Sequence, residues 1–173
     1  TKICGAKENA LYSVAYSCGT VITLFITSLN TAFSPWLGEK LNQNHYEEIR
    51  KVSKYYIILF VFGTCGIMLL TPELLLIVGG KNYFDAIYVM PPVAFGCVCQ
   101  FMYTMYVNVE QFKKKTTGMA FASVVAALVN YILNSIYIPQ IGYIAAAYTT
   151  LVSYVILLFI HMILVRHIGL KKV

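Results

Sequence analysis

Hydroxyl and amide side chains recur along one face of the first apolar segment of the chain. Their spacing alternates between three and four residues, which places them on one side of a helix. Such groups offer hydrogen bonds without charge, so they suit hydroxyl-rich ligands such as sugars better than an isolated ion. We interpret six of them as candidates for lining a substrate pathway: Ser13, Tyr16, Thr20, Thr23, Thr27 and Asn30.

The opposite face of this segment is apolar, and we expect it to meet lipid. Its residues are Val14, Cys18, Val21, Ile22, Phe25, Ile26 and Leu29. The competing interpretation of the polar stripe is that small hydroxyl residues let helices approach and bond across an interface. Because the stripe runs along the whole segment and includes Tyr16 and Asn30, a cavity is favoured.

Two polar features lie in later apolar segments. Asn130 and Asn134 are one helical turn apart, and we interpret them as helix-packing residues whose amides bond a neighbouring helix, with ligand binding as the alternative. His161 lies close to the end of the last segment, where its ring can reach the membrane interface, and a proton relay is its alternative role.

The sequence carries none of the motifs expected of an enzyme. It has no Gly-rich phosphate loop, no Cys/His metal spacing and no paired carboxylates at a plausible site, so we predict no catalytic residues, cofactor or metal. The five cysteines are an odd number, and all but Cys4 lie in apolar stretches. We interpret them as small buried hydrophobic residues rather than as disulfides.

Membrane-spanning helices are the elements that must position these side chains. The chain is 59% hydrophobic and 12% charged, with a mean hydropathy of +0.70, whereas about a quarter of the residues of a soluble domain are charged. Helices are required because an open strand edge in lipid would leave backbone groups unpaired. The sequence therefore predicts an all-α polytopic bundle with five spans, at about 12–34, 55–71, 86–109, 117–137 and 141–165.

Two local features of these spans carry further expectations. Pro91 and Pro92 should kink or break the third helix near its outer end, because each removes a backbone donor and its ring clashes with the preceding turn. Between Leu41 and Lys54, mixed charged and apolar residues indicate either a short surface helix or a solvated loop.

The distribution of basic residues predicts the orientation of the chain. Alternate connections between the spans carry ten Lys and Arg on one side and three on the other, and the richer side is cytoplasmic by the positive-inside rule. The chain then starts outside and ends inside. Its formal net charge of +6 is an orientation signal and does not indicate binding to nucleic acid. Since the first residue is Thr1 rather than Met, we expect a fragment of a longer protein.

Ordered blocks of the sequence resemble the polysaccharide transporter family, the Wzx-type oligosaccharide repeat-unit flippases of the multidrug/oligosaccharidyl-lipid/polysaccharide superfamily. The blocks read ENALYSVAYS, SLNTAFSPWLGEKL, LLTPELLLIVGGKNYFDAIYVMPPVAFG and KKKTTGMAFASVVAALVNYILNSIYIPQIGYIAAAYTTLVSY. The resemblance implies that the five spans are helices eight to twelve of twelve, that is, most of the C-terminal lobe.

The same resemblance implies a function and partners. The complete protein would flip a lipid-pyrophosphate-linked oligosaccharide across the cytoplasmic membrane by alternating access, surrounded by membrane lipid and completed by its N-terminal half. A pyrophosphate needs cations, and the predicted spans contain none, so these are expected from the missing part.

Three other functions compete with this prediction. A cation-coupled multidrug antiporter of the superfamily should carry an intramembrane carboxylate, and the predicted spans contain none. A membrane polysaccharide polymerase or ligase should have a long charged outer loop, whereas the outer connections here are short. A lipid II flippase stays open as a third alternative.

Overall fold

The computed structural model describes residues 5–168. Lys2, Cys4, Lys171 and Lys172, which enter the charge and cysteine arguments, lie outside the described residues. All the regular elements in the described range are helices. In chain order they are α1 (Gly5–Asn42), α2 (Tyr46–Leu69), α3 (Thr71–Val78), a 3-10 helix (Lys81–Val89), α4 (Met90–Phe112), α5 (Thr116–Ile141) and α6 (Tyr143–His167).

The predicted all-α polytopic fold is confirmed. Five helical stretches of the described chain are long and apolar enough to cross a membrane. Most of their ends lie beyond the ends that the sequence predicted. The exceptions are the second stretch, which ends earlier than predicted, and the fifth, which starts later. The five stretches are Ala10–Asn42, Tyr46–Leu69, Phe84–Phe112, Thr116–Ile141 and Tyr143–His167. The charged residues at helix ends had shortened the predicted spans.

The first helix continues well past its predicted end at Ser34. Pro35 lies inside α1 and removes one backbone donor, yet the helix continues because its next turns are held by packing. Phe33, Leu37 and Leu41 are each no more than 2% exposed. Both alternatives for 41–54, a short surface helix and a solvated loop, are therefore wrong, because this segment is the end of α1, a short turn and the start of α2.

The turns after α1 and after α4 use the same left-handed C-cap. Asn44 and Lys114 have φ values of 57° and 54°, and the following amide in each turn donates to a carbonyl five residues back. The two bonds are His45 N to Lys40 O at 3.0 Å and Lys115 N to Glu110 O at 2.9 Å. This arrangement satisfies carbonyls that the helix ends leave unpaired.

The proline pair marks a change of helix type. The 3-10 helix ends at Val89, and Pro91 and Pro92 occupy the first turn of α4, where a missing backbone donor has no intrahelical role. The predicted break near this end is present, as a boundary between two helices.

Helix α4 is the most buried of the spans and packs against α1, α2 and α6. Close approach to α6 depends on Gly96, where an added Cβ would lie 3.2 Å from the Tyr154 ring. Helices α2 and α5 lie at the periphery, with large apolar side chains such as Phe62 and Tyr131 more than 70% exposed. In a membrane these side chains contact lipid.

Alternate connections lie at the same end of the bundle. Lys40 of α1 pairs with Glu48 of α2 at 3.0 Å, and the Cβ position of Gly38 faces the ring of Phe112 at 3.3 Å. Since the end of α4 and the turn 113–115 lie here too, we call this the basic end. The α3 helix, the 3-10 helix and the turn at Gly142 lie at the opposite end.

Candidate functional site

A cavity of about 90 Å³, with a lining of mixed polar and apolar residues, lies between α1, α4 and α6. Six hydrogen-bonding side chains line it, and the described residues around it include no charged group. They are Tyr16, Thr20 and Thr23 of α1, Gln100 of α4, and Thr150 and Tyr154 of α6. We call this space the α1–α4–α6 cavity.

Small residues allow the three helices to surround this space. Gly19 of α1 faces Val93, and an added Cβ would lie 2.9 Å from the Val93 Cγ1 atom. Gly96 of α4 plays the same role toward α6. Because backbones approach closely at these two points, the longer polar side chains between them project into the gap rather than holding the helices apart.

The hydroxyl groups of the polar stripe donate hydrogen bonds to their own helix. Thr20 Oγ1 donates to the Tyr16 carbonyl at 3.0 Å, Thr23 to Thr20 at 2.7 Å, and Thr27 to Thr23 at 3.0 Å. Each oxygen keeps lone pairs that point away from the backbone. The stripe thus presents acceptors, which suit ligands that carry donor hydroxyl groups.

The six predicted pathway residues do not all meet at one place. Tyr16, Thr20 and Thr23 line the α1–α4–α6 cavity, whereas Ser13 and Thr27 lie on the exposed face of α1 outside it. Asn30 instead bonds another helix, because its Oδ1 atom accepts a hydrogen bond from Asn108 Nδ2 of α4 at 2.6 Å. The stripe therefore contains residues that line the cavity, residues on the exposed face and one residue that bonds a neighbouring helix.

The apolar face of α1 does not meet lipid as a whole, and that expectation was wrong. Cys18, Ile22 and Ile26 are at most 5% exposed and belong to the core of the chain, whereas Val21 and Phe25 are 37% and 55% exposed. Lipid contact is limited to the edge that Val21 and Phe25 form. The reason is that α1 is a packed helix, with α2 and α4 on its apolar side.

The two asparagines of α5 form a hydrogen-bonded chain to α6. Asn134 Nδ2 donates to Asn130 Oδ1 at 2.8 Å, and Thr149 Oγ1 donates to Asn134 Oδ1 at 2.5 Å. Thr149 is 4% exposed, so the contact is inside the α5–α6 interface. The geometry is that of side chains bonding across packed helices.

Three cavity residues were missed by the sequence reasoning. Gln100, Thr150 and Tyr154 come from later spans, and only the fold places them opposite α1. A signal existed for the first, because Gln100, Thr104 and Asn108 recur every four residues and form a second polar stripe on α4.

A buried carboxylate was also missed. Glu110 lies one residue past the predicted end of the third span, but the structure places it within Phe84–Phe112 and only 1% exposed. Its Oε1 atom lies 2.8 Å from Nδ1 of His161, which is 2% exposed. The expectation that these spans contain no carboxylate, and that His161 reaches the interface, was therefore wrong.

Comparison of the sequence with protein-family models gives a match over most of the chain. The MatE family model matches residues 1–136, which cover α1 to α4 and most of α5. The chain belongs to the MatE family. It is accordingly a multi-pass membrane transporter of the multidrug/oligosaccharidyl-lipid/polysaccharide superfamily, whose members are transporters rather than enzymes. No curated protein and no solved structure shows significant similarity to it.

The MatE match covers only part of the α1–α4–α6 cavity. Tyr16, Thr20, Thr23 and Gln100 lie in matched segments, while Thr150 and Tyr154 follow the end of the match. The cavity is therefore lined by residues from both the matched and the unmatched part of the chain.

Proposed function

We propose that this chain forms one wall of a passage through which a lipid-linked oligosaccharide is flipped across the cytoplasmic membrane. The observation that carries the proposal is the α1–α4–α6 cavity, whose described lining combines six uncharged polar side chains with apolar residues. Sugars present many hydroxyl groups and aliphatic ring faces, and the cavity offers acceptor hydroxyls, one amide and two tyrosine rings. The acceptor oxygens of α1 point away from their own helix, and this orientation also suits a ligand with many hydroxyl groups.

The exposed polar face of α1 is an argument for a second lobe of the transporter. Thr20, Thr27 and Thr31 are exposed on this face, and no described helix of this chain covers it. Hydroxyls facing lipid would be unfavourable, so the face requires water, substrate or another polar surface. We infer that the N-terminal half of the transporter lies opposite, and that alternating access occurs between the two halves.

The orientation of the passage follows from the basic residues. We infer that the basic end, which carries Lys113, Lys114 and Lys115, faces the cytoplasm. No described residue lining the α1–α4–α6 cavity is cationic. In this proposal the cations that meet the pyrophosphate come from the other half of the transporter.

The test uses the full-length protein reconstituted in vesicles with a lipid-linked oligosaccharide. Thr23→Trp should fill the cavity and abolish flipping while folded yield is retained, because Thr23 borders open space. Val21→Trp is the matched control, since Val21 is two residues away and 37% exposed on the lipid edge. It should flip at the wild-type rate.

Two outcomes would contradict the proposal. Normal flipping by Thr23→Trp at normal yield would show that the cavity is not on the pathway. A yield that falls in proportion to flipping would instead show that the hydroxyl face packs against a helix, since overpacking costs about 1–3 kcal/mol. Lipid II offered in the same vesicles distinguishes the two kinds of lipid-linked sugar.

A cation-coupled multidrug antiporter is the second candidate function, and the buried carboxylate of Glu110 favours it. The discriminating measurement gives the vesicles either the lipid-linked oligosaccharide or an amphipathic organic cation. If the vesicles transport only the organic cation, and Thr23→Trp blocks this transport, the cavity belongs to an antiporter. That result would overturn the saccharide proposal.

A further inference from the structure

The α1–α4–α6 cavity is smaller than a sugar ring. Its volume is about 90 Å³, whereas an apolar cavity of about 150 Å³ in another protein takes one benzene molecule. In proportion, the cavity admits about four non-hydrogen atoms. A pyranose ring with its hydroxyl groups exceeds this size, so only one substituent of a sugar can enter. The lining of the cavity determines which substituent fits.

The side-chain amide of Gln100 is available to a ligand in this cavity. The backbone carbonyl of Gln100 accepts a hydrogen bond from Thr104 Oγ1 at 2.8 Å, but its side-chain amide makes no hydrogen bond to any described residue. The side chain is partly buried and lines the cavity. Because a primary amide carries both donors and an acceptor, a ligand gains most here if it offers the complementary groups.

The threonine hydroxyls around the cavity act as acceptors. Thr23 Oγ1 donates to the Thr20 carbonyl at 2.7 Å, and Thr150 Oγ1 donates to the Ala146 carbonyl at 2.8 Å. Since each hydroxyl hydrogen is used within its own helix, the remaining lone pairs can accept a hydrogen bond from a ligand. The donor amide of Gln100 on α4 and these acceptors on α1 and α6 therefore line the cavity from three helices.

The rest of the lining is mainly apolar and excludes charged groups. Val93 and Ala147 line the cavity and are 8% and 1% exposed, so a methyl group beside them would be removed from water. The described lining contains no charged residue. A carboxylate, phosphate or ammonium substituent would lose its hydration here without a compensating charge. A hydroxyl substituent would leave the apolar part of the lining unfilled.

We propose that the α1–α4–α6 cavity binds the acetamido group of an N-acetylated sugar in the transported oligosaccharide. This inference rests on the proposed function and specifies its substrate class. An acetamido group has the size that the cavity admits, and it combines an N–H donor, a carbonyl acceptor and a methyl group. These three parts match the acceptors, the donor amide and the apolar residues of the lining.

The geometry of a secondary amide explains why its partners come from different helices. In the favoured trans form, the N–H and the carbonyl point in opposite directions. Gln100 of α4 donates to the carbonyl oxygen, and Thr23 of α1 or Thr150 of α6 accepts from the N–H. The methyl group contacts Val93 and Ala147. A glucose residue at the same place offers a hydroxyl group only, and it leaves the Gln100 amide without a ligand partner.

The first test compares three lipid-linked disaccharides in vesicles that contain the full-length transporter. The compounds share one lipid and one linkage, and their sugars are N-acetylglucosamine, N-propionylglucosamine or glucose. At concentrations well below saturation, we expect the acetylated compound to flip about tenfold faster than either of the others, because glucose loses the hydrogen bonds and the propionyl group adds a methylene that overfills the cavity. This comparison needs no variant protein.

The second test identifies the side chain that makes the distinction. Gln100→Met keeps the length of the side chain and removes its hydrogen-bonding atoms, so the preference for the acetylated over the glucose compound should fall from about tenfold to about twofold or less. Flipping of the glucose compound should stay at the wild-type rate. Thr104→Val is the matched control, because Thr104 lies one turn further along α4 and outside the lining. It should keep the full preference.

The outcomes separate this inference from the proposed function. Equal flipping of the three compounds would overturn the acetamido site and leave the proposed function standing. A full preference for the acetylated compound in Gln100→Met would overturn the site in the same way. If none of the three compounds is flipped while an organic cation is transported, the proposed function fails and this inference fails with it.

Discussion

The hydrogen bond between Asn30 and Asn108 allows packing and pathway roles to be separated quantitatively. Asn108 is 7% exposed, and its Nδ2 atom lies 2.6 Å from Asn30 Oδ1 across the α1–α4 interface. Replacing Asn30 by Leu leaves the buried amide of Asn108 without its partner, at a cost of about 1–3 kcal/mol, and replacing Asn108 by Leu leaves the half-buried amide of Asn30 without its partner. We therefore expect each single variant to lower the free energy of unfolding by that order.

The double variant gives the coupling between the two amides. When both amides are replaced, neither is left without a partner. The double variant should therefore lose less free energy of unfolding than the two single variants lose together. Interhelical hydrogen bonds in membrane proteins show couplings of about 0.6 kcal/mol on average and up to about 1.7 kcal/mol. The short bond and the burial of Asn108 place the expected coupling in the upper part of that range.

The assay is reversible unfolding of the purified full-length transporter in mixed detergent micelles, with flipping measured on the same variants. Flipping per folded molecule should stay near the wild-type value, because Asn30 is outside the α1–α4–α6 cavity. Thr27→Val is the control one turn away, and its effect should be within about 0.5 kcal/mol. If the double variant loses the sum of the two single-variant losses in free energy of unfolding, to within about 0.3–0.5 kcal/mol, the structural role assigned to the pair is refuted.

Two further predictions concern the turn after α4 and the orientation of the chain. Lys114→Gly should raise the free energy of unfolding by about 1 kcal/mol, because Lys114 has a φ of 54° that costs a side-chain-bearing residue about 1–2 kcal/mol; Lys113→Gly, at a φ of −79°, should give no gain in the same unfolding assay. For orientation, single cysteines placed at Asn82 and Gln140 of the full-length protein should react with an impermeant thiol reagent from outside. Single cysteines at Glu48 and Lys114 should not react. Reversed labelling would contradict the inferred topology.

The number and type of the spans could be predicted from the sequence because hydropathy alone decides them. A helix that must satisfy its backbone in lipid needs about 20 apolar residues, and five such stretches are present. The ends were less predictable. The predicted first span stopped at Ser34, whereas buried Leu37 and Leu41 carry the helix onward to Asn42.

The candidate site could be predicted only in part, because half of its cavity comes from other helices. Periodicity within one segment found Tyr16, Thr20 and Thr23, but it carries no information on which helices face them. It also could not show that Asn30 bonds α4, since the partner lies 78 residues away. Periodic polar positions identify a face of a helix, and only packing decides whether that face meets substrate or a neighbour.

Both polar sites of the structure depend on the contact between α4 and α6, and this has a consequence for transport. Gln100 and Tyr154 face the α1–α4–α6 cavity, while Glu110 and His161 lie nearer the basic end of the same two helices. A shift of α4 against α6 would change the width of the cavity and the distance within the buried pair together. The packing of α4 against α6 therefore links the shape of the cavity to the geometry of the buried pair, without any direct contact between the two places.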